Sequence, residues 1–197
     1  MKLGKIVASD SHLQYRCRIY APGETESPPA PSDYALGTFV SLVTGSDTAM
    51  VGVICDTVLQ NPEFGVYGPR LSTGDETVVF SPDYVDEACT LVTIVALGHM
   101  EGGKYSHDAS PIAPPVNCEV SSLPVEEVRA FHLGPAGLRL AYVPLLLGLT
   151  RTSPAYSQAL LRLLAGLKEL FPDGEAHTRL CLLSQSLSWR LRVESLA

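Results

Sequence analysis

The sequence predicts a mainly β protein with a C-terminal α portion: a small barrel of about six strands followed by a helical hairpin. Two patterns carry that reading. In the first two thirds, short phrases such as Tyr15-Arg16-Cys17-Arg18-Ile19-Tyr20 alternate apolar and polar residues and are punctuated by Gly, Pro and Ser, as in a small antiparallel sheet or barrel. In the last quarter the apolar spacing changes to that of amphipathic helices. Size sets the outer bound. The chain has 197 residues, enough for one domain with a modest appendage and a buried core.

The strands follow in order. Gly4-Lys5-Ile6-Val7-Ala8 leads into the phrase at Tyr15. A proline-rich stretch at 21–32 then forbids helix and disfavours a central strand, so it is expected as a surface loop. Strands at 36–43 and 49–59 flank Gly45-Ser46-Asp47, a hairpin turn by composition. Residues 61–74 read as irregular and 76–80 as a short strand. Residues 90–97 are β-branched and apolar on both faces, the pattern of a buried strand. A Gly/Pro-rich loop is expected over 98–115. Residues 116–120 are placed to close the sheet, with 126–132 after them.

The character changes after Gly134-Pro135. Ser153-Pro154 pairs an N-cap with proline at the first helical position. Tyr156, Leu160, Leu163, Leu164, Leu167 and Phe171 then recur at helical spacing until Pro172 ends the helix. Asp173 is placed to cap a second helix, whose main apolar face is Leu180, Leu183, Leu187, Leu191 and Val193, with Leu182, Trp189 and Leu196 off it. The organisation expected is therefore a barrel over 1–133, an apolar linker over 134–152 and a helical hairpin over 153–197. Core packing is the default role of the leucines; the alternative is a contact face for a partner at Leu183, Leu187 and Leu191, with Trp189 as an anchor at its edge.

Composition narrows the function. With 46% hydrophobic and 18% charged residues and a mean hydropathy of +0.16, the chain is too apolar to be disordered. The surplus is either a leucine-rich core or a partner surface. The net charge of −7 is uneven: residues 1–135 hold seven Lys/Arg against seventeen Asp/Glu, while 136–197 hold seven against four. An acidic barrel repels phosphate, so direct nucleic-acid binding by it is not expected. Cys17, Cys55, Cys89, Cys118 and Cys181 are scattered and odd in number, against a disulfide framework or a cysteine zinc site and in keeping with a cytoplasmic protein. Lys5 and Asp10 interrupt the first apolar stretch, so it does not read as a signal peptide. The longest apolar run, 140–149, is interrupted by Pro144 and is half the length of a membrane span.

Candidate chemistry is sparse. Gly98-His99-Met100-Glu101-Gly102-Gly103-Lys104 matches G-x-x-x-x-G-K after an apolar strand. The next residue, however, is Tyr105 where a phosphate-binding loop needs Ser or Thr, and prolines follow where a helix should open. ATP binding is not expected. His99, Glu101, His107 and Asp108 are the right residue types for a metal site at no known spacing; His12, His132 and His177 stand apart. Asp83, Asp86 and Glu87 read as a turn. No catalytic constellation emerges, and no cofactor or metal is expected.

The strand phrases resemble a known family. Gly4-Lys5-Ile6-Val7, Gly37-Thr38-Phe39-Val40, Val51-Gly52-Val53 and Val92-Thr93-Ile94-Val95-Ala96-Leu97-Gly98, with prolines at 111, 114 and 115, follow the order of motifs in the HAS-barrel, the N-terminal barrel of HerA-type DNA translocases and rotary ATP synthases. The resemblance covers about residues 1–133. It implies a non-catalytic barrel that makes lateral contacts in a ring and, in HerA-type proteins, docks a partner nuclease. Where that family continues into an ATPase, this chain has an apolar segment and a helical hairpin. The function expected is thus a protein-interaction or assembly module whose partner is a second copy or a larger ATPase or nuclease machine, with neither membrane nor direct nucleic-acid contact. The alternative is a small-molecule binder or enzyme with its site in the loops around Tyr67 and His99 to His107.

Overall fold

A computed structural model describes residues 1–61 and 88–194, with side chains as far as Leu191. Six strands close into an antiparallel barrel: β1 (Lys2–Ser11), β2 (Gln14–Ile19), β3 (Phe39–Val43), β4 (Thr48–Gln60), β5 (Cys89–Glu101) and, after a short β6 (Lys104–Ser106), β7 (Glu119–Ser122). The hydrogen-bonded order runs β2-β1-β7-β3-β4-β5, and a β2–β5 ladder from Gln14↔Val95 to Arg18↔Leu91 completes the circle. Closure leaves none of the six as a simple sheet edge. The expected barrel is there, and β6 is an extra strand outside the circle.

β5 shows how the sequence dictates this. Its alternate residues Val92, Ile94 and Ala96 point into the barrel, where they join Leu3, Ile6, Cys17, Val40, Leu42, Met50, Ile54 and Val120. Val95 and Leu97 point outward into a second core, together with Phe39, Val51, Val53 and Cys55 of the neighbouring strands. A strand buried on both faces must be apolar at every position, as residues 90–97 nearly are.

The second core is covered by the C-terminal third. α1 (Val125–His132) follows β7, a two-residue hairpin pairs β8 (Leu133–Gly134) with β9 (Gly137–Leu138), and α2 (Val143–Leu149), α3 (Pro154–Leu170) and α4 (Gly174–Glu194) complete the chain. α3 starts as predicted: the Ser153 hydroxyl accepts the Ala155 amide at 3.3 Å with Pro154 at the first position. Leu160, Leu163, Leu164 and Leu167 are buried against the barrel and its cover. α4 packs on α3 through Leu180 and Leu187.

Three expectations need correction. Residues 134–152 are no linker: they carry the β8–β9 hairpin and α2, and they bury Leu138, Tyr142, Val143 and Leu146 in the outer core. The barrel itself ends at Ser122, with the helix α1 filling the rest of the span assigned to it. The loop expected from residue 98 begins later, because β5 runs through Gly98 to Glu101 and turns at Gly102-Gly103, both with positive φ, into β6. Gly98 lies in the strand because a side chain there has no room: a Cβ would come within 2.1 Å of the Ser106 carbonyl oxygen and 3.0 Å of the Phe131 ring. The strand expected at 76–80 lies outside the described residues.

Close packing at Gly98 and open space at Gly166 make opposite predictions. Gly98→Ala should destabilise the protein by about 1–3 kcal/mol through overpacking. Gly166→Ala, inside α3 with nothing near its missing Cβ, should stabilise it by about 0.5–1 kcal/mol. Urea denaturation of the two variants beside wild type reads both.

Candidate functional site

The structure gathers titratable side chains in one place, where barrel, α1 and α2 meet. His132, the last residue of α1, is fully buried. Its Nδ1–H donates to the Val128 carbonyl at 2.6 Å, one helical turn back, which leaves Nε2 as an acceptor for the Tyr142 hydroxyl at 2.7 Å; the carbonyl settles the tautomer. Tyr142 immediately precedes α2, and the edge of Phe39 from β3 meets the His132 ring at 5.1 Å. His107, just past β6, lies on the Phe131 ring with centroids 4.2 Å apart and 6.0 Å from His132. Its Nε2–H donates to the Phe131 carbonyl at 2.9 Å, and its Nδ1 accepts the Ala141 amide at 3.2 Å.

Arg139 completes the cluster. Its two terminal nitrogens donate to the Tyr105 and Phe131 carbonyls at 3.3 and 3.1 Å, while its Nε is buried without a partner among the described residues. Tyr105 in turn donates to Glu127 at 2.9 Å. Burial, reinforced by the Glu127 carboxylate, pushes the Tyr105 hydroxyl up to about 12. Burial, and more weakly the neighbouring His107 and Arg139 charges, hold His132 down to about 4; His107 is lowered chiefly by burial, with Arg139 adding to it. Tyr142 is raised well above its ordinary value by burial alone.

Every ring nitrogen in this cluster is occupied by a backbone group or a hydroxyl. What it does chemically is tie α1, α2 and the β5–β6 hairpin to one another. Sequence reading set His132 apart and put His107 with His99; no local spacing signals the pairing, since residues 107, 132 and 142 meet only through the fold.

The loop residues weighed as metal ligands do not converge on one point. His107 turns inward. His99 bonds to the Asp108 carbonyl at 3.1 Å, and the Asp108 carboxylate accepts from the Ser106 hydroxyl at 2.8 Å. Among the described residues no three His, Cys, Asp or Glu side chains form a group able to hold a metal. Lys104 of the phosphate-loop look-alike sits in the β5–β6 hairpin, paired with Glu101 in register, and the next element is the strand β7. Tyr67, and with it Asp83, Asp86 and Glu87, lies outside the described residues. His12 and His177 bond to the Ser110 and Phe171 carbonyls at 2.6 and 2.9 Å.

The contact face expected on α4 divides in two. Leu187 is 4% exposed and belongs to the chain's own core, with Leu183 packed partly against it and Leu191 half-buried. Leu187 therefore faces α3 and no partner. Trp189 is 70% exposed, and Leu182, seven residues earlier on the same side of the helix, is 62% exposed. The outward apolar pair is Leu182 and Trp189.

The fold defines a class: a closed six-stranded antiparallel barrel with one flank covered by helices. The chain belongs to the family described as a domain of unknown function, DUF8166, whose model matches residues 1–196. No curated protein matches it. Among the described residues no helix is long and apolar enough to cross a membrane.

Two substitutions probe these assignments. Tyr142→Phe removes the donor to His132 and leaves a buried acceptor empty, a change expected to cost about 1–3 kcal/mol. Leu187→Asp puts a carboxylate into the helical core and should abolish the cooperative melt seen by circular dichroism in the wild type.

Proposed function

We propose that the protein is a non-catalytic interaction module that assembles with copies of itself or with a larger machine. One observation carries this reading. α4 already buries Leu180 and Leu187 against α3, yet it presents Leu182 and Trp189 to solvent two turns apart on its outer side. Core packing accounts for the inner leucines, and among the described residues the outer pair belongs to neither hydrophobic core. Tryptophan is among the residues most enriched at the centres of binding interfaces, and two large apolar side chains in line on one helix suit helix-to-helix or helix-in-groove docking.

The resemblance to HAS-barrels suggests the kind of machine, a HerA-type DNA-processing ATPase or its nuclease. In this reading the acidic barrel keeps DNA off its own surface and contributes protein contacts only. Self-association, where it occurs, is expected to be closed and symmetric, with a dimer as the simplest form.

Light scattering at about 100 μM provides the test, on wild type and Trp189→Asp together. The wild type is expected as a dimer or larger, or else to retain a stable partner in affinity capture. Trp189→Asp should dissociate that assembly with its melting temperature within about 1–2 °C of wild type, since an exposed residue contributes little to the fold. A monomeric wild type that captures no partner, or an assembly indifferent to Trp189→Asp, rules this face out.

A further inference from the structure

The cluster around His132 has the makings of a device as well as a tie. We propose that His107, His132, Arg139 and Tyr142 form an acid-sensitive latch that holds α1 and α2 on the barrel at neutral pH and releases them on acidification, while the barrel stays closed. The first support is the bonding direction. His132 can take a proton only at Nε2, the atom that now accepts the Tyr142 hydroxyl. Protonation sets two donors against each other. The Tyr142 hydroxyl must then turn its oxygen to His132 and strand its own hydrogen in a buried site.

The second support is the charge around the pair. From α1 the only carboxylate bonded within the cluster is that of Glu127, which holds Tyr105. From the chain after β6 come His107 itself and Asp108, whose carboxylate accepts from Ser106 and weakly favours a proton on His107, though less than burial opposes it. After β9 comes the Arg139 guanidinium, whose positive charge opposes protonation of both histidines. β3 contributes the uncharged Phe39, and the chain before α2 contributes Tyr142. Acid therefore raises the positive charge of a cluster whose imidazoles have only backbone and hydroxyl partners.

The third support is the contrast with the barrel interior. That core is built of aliphatic residues with Tyr15, Met50, Cys17 and Cys118, none of which changes charge between pH 7 and 4; burial pushes the Cys17 thiol up to about 12. The two layers thus answer acid differently. His132 stays neutral in the closed form down to about 4, whereas a released histidine titrates near its ordinary 6.5. Above 6.5 the latch contributes in full. Between 6.5 and 4 only the open form takes up the proton, so each pH unit favours opening by roughly tenfold, and His107 acts in the same direction.

Hydrogen exchange read by mass spectrometry on the full chain from pH 7 to 4.5, corrected for intrinsic rates, tests the latch. Protection of α1 and α2 should fall about tenfold per unit below 6.5 while β1, β2 and β5 keep theirs. The double variant His132→Phe with Tyr142→Phe removes donor and acceptor together, a replacement that is close to neutral where the shape is kept, and should reduce the slope for both helices to the part that His107 contributes. Proton NMR of the wild type supplies a measurement independent of that variant, with the His132 ring expected to titrate below 5. Helix protection that is flat with pH, strands that open along with the helices, a double variant with the wild-type slope, or a folded His132 titrating near 6.5 would each overturn the proposal.

Discussion

The architecture rests on one strand serving four neighbours. Along one edge β5 pairs with β4 over nearly its whole length, from Thr48↔Glu101 to Gln60↔Cys89. Its other edge is shared, with β2 taking residues 91–95 and β6 taking 99–101. The inward face fills the barrel and the outward face seats the helical cover. Burying a valine, isoleucine or leucine side chain is worth about 1.5–3 kcal/mol, and β5 contributes such residues to both cores. Barrel closure and helix docking therefore draw on opposite faces of a single element. Loss of β2 pairing would expose the inner core, and loss of the helices would expose the outer one.

That double duty explains which parts of the fold were legible. A strand buried on both faces announces itself by an unbroken apolar run, and α3 by Ser153-Pro154 and its leucine spacing. α1 and α2 gave no such signal. α1 begins after Pro124 without a side-chain cap, and α2 is a seven-residue helix with Pro144 near its start. Both are held by tertiary contacts that no window of sequence displays. Residues 134–152 looked like a linker for this reason, although Tyr142, Val143 and Leu146 are core. The cluster of His107, His132 and Tyr142 was illegible for a related one: its members lie on separate elements, and proximity in sequence had grouped His107 with His99. On α4 the spacing of the leucines was readable. Which stripe faced α3 depended on where α3 lay.

The glycines that carried the likeness to HAS-barrels have a steric explanation. A Cβ on Gly4 would come within 2.0 Å of the Arg18 carbonyl oxygen on β2, much as one on Gly98 would meet Ser106. At Gly4 two barrel strands press together, whereas Gly98 is crowded by β6 and α1 and Gly37 by α3, so the motifs encode close backbone approaches first. Any small barrel wound this tightly has the same need. The glycine phrases thus speak for the fold more strongly than for ancestry, and evidence of shared function must come from surfaces.

Surface and interior have been given different chemistry here. Each histidine has at least one ring nitrogen bonded to a backbone carbonyl, and these bonds pin loops and helix ends where backbone would otherwise go unsatisfied. Imidazole suits that task because its two ring nitrogens can bridge two groups. Two of the five, His107 and His132, hold the cover to the barrel. On the long C-terminal helix Leu182 and Trp189 stand exposed among polar neighbours that include Arg179, Gln185 and Ser186. The histidines are thus accounted for by the fold, whereas Leu182 and Trp189 are exposed apolar area that the packing of α4 on α3 through Leu180 and Leu187 does not use.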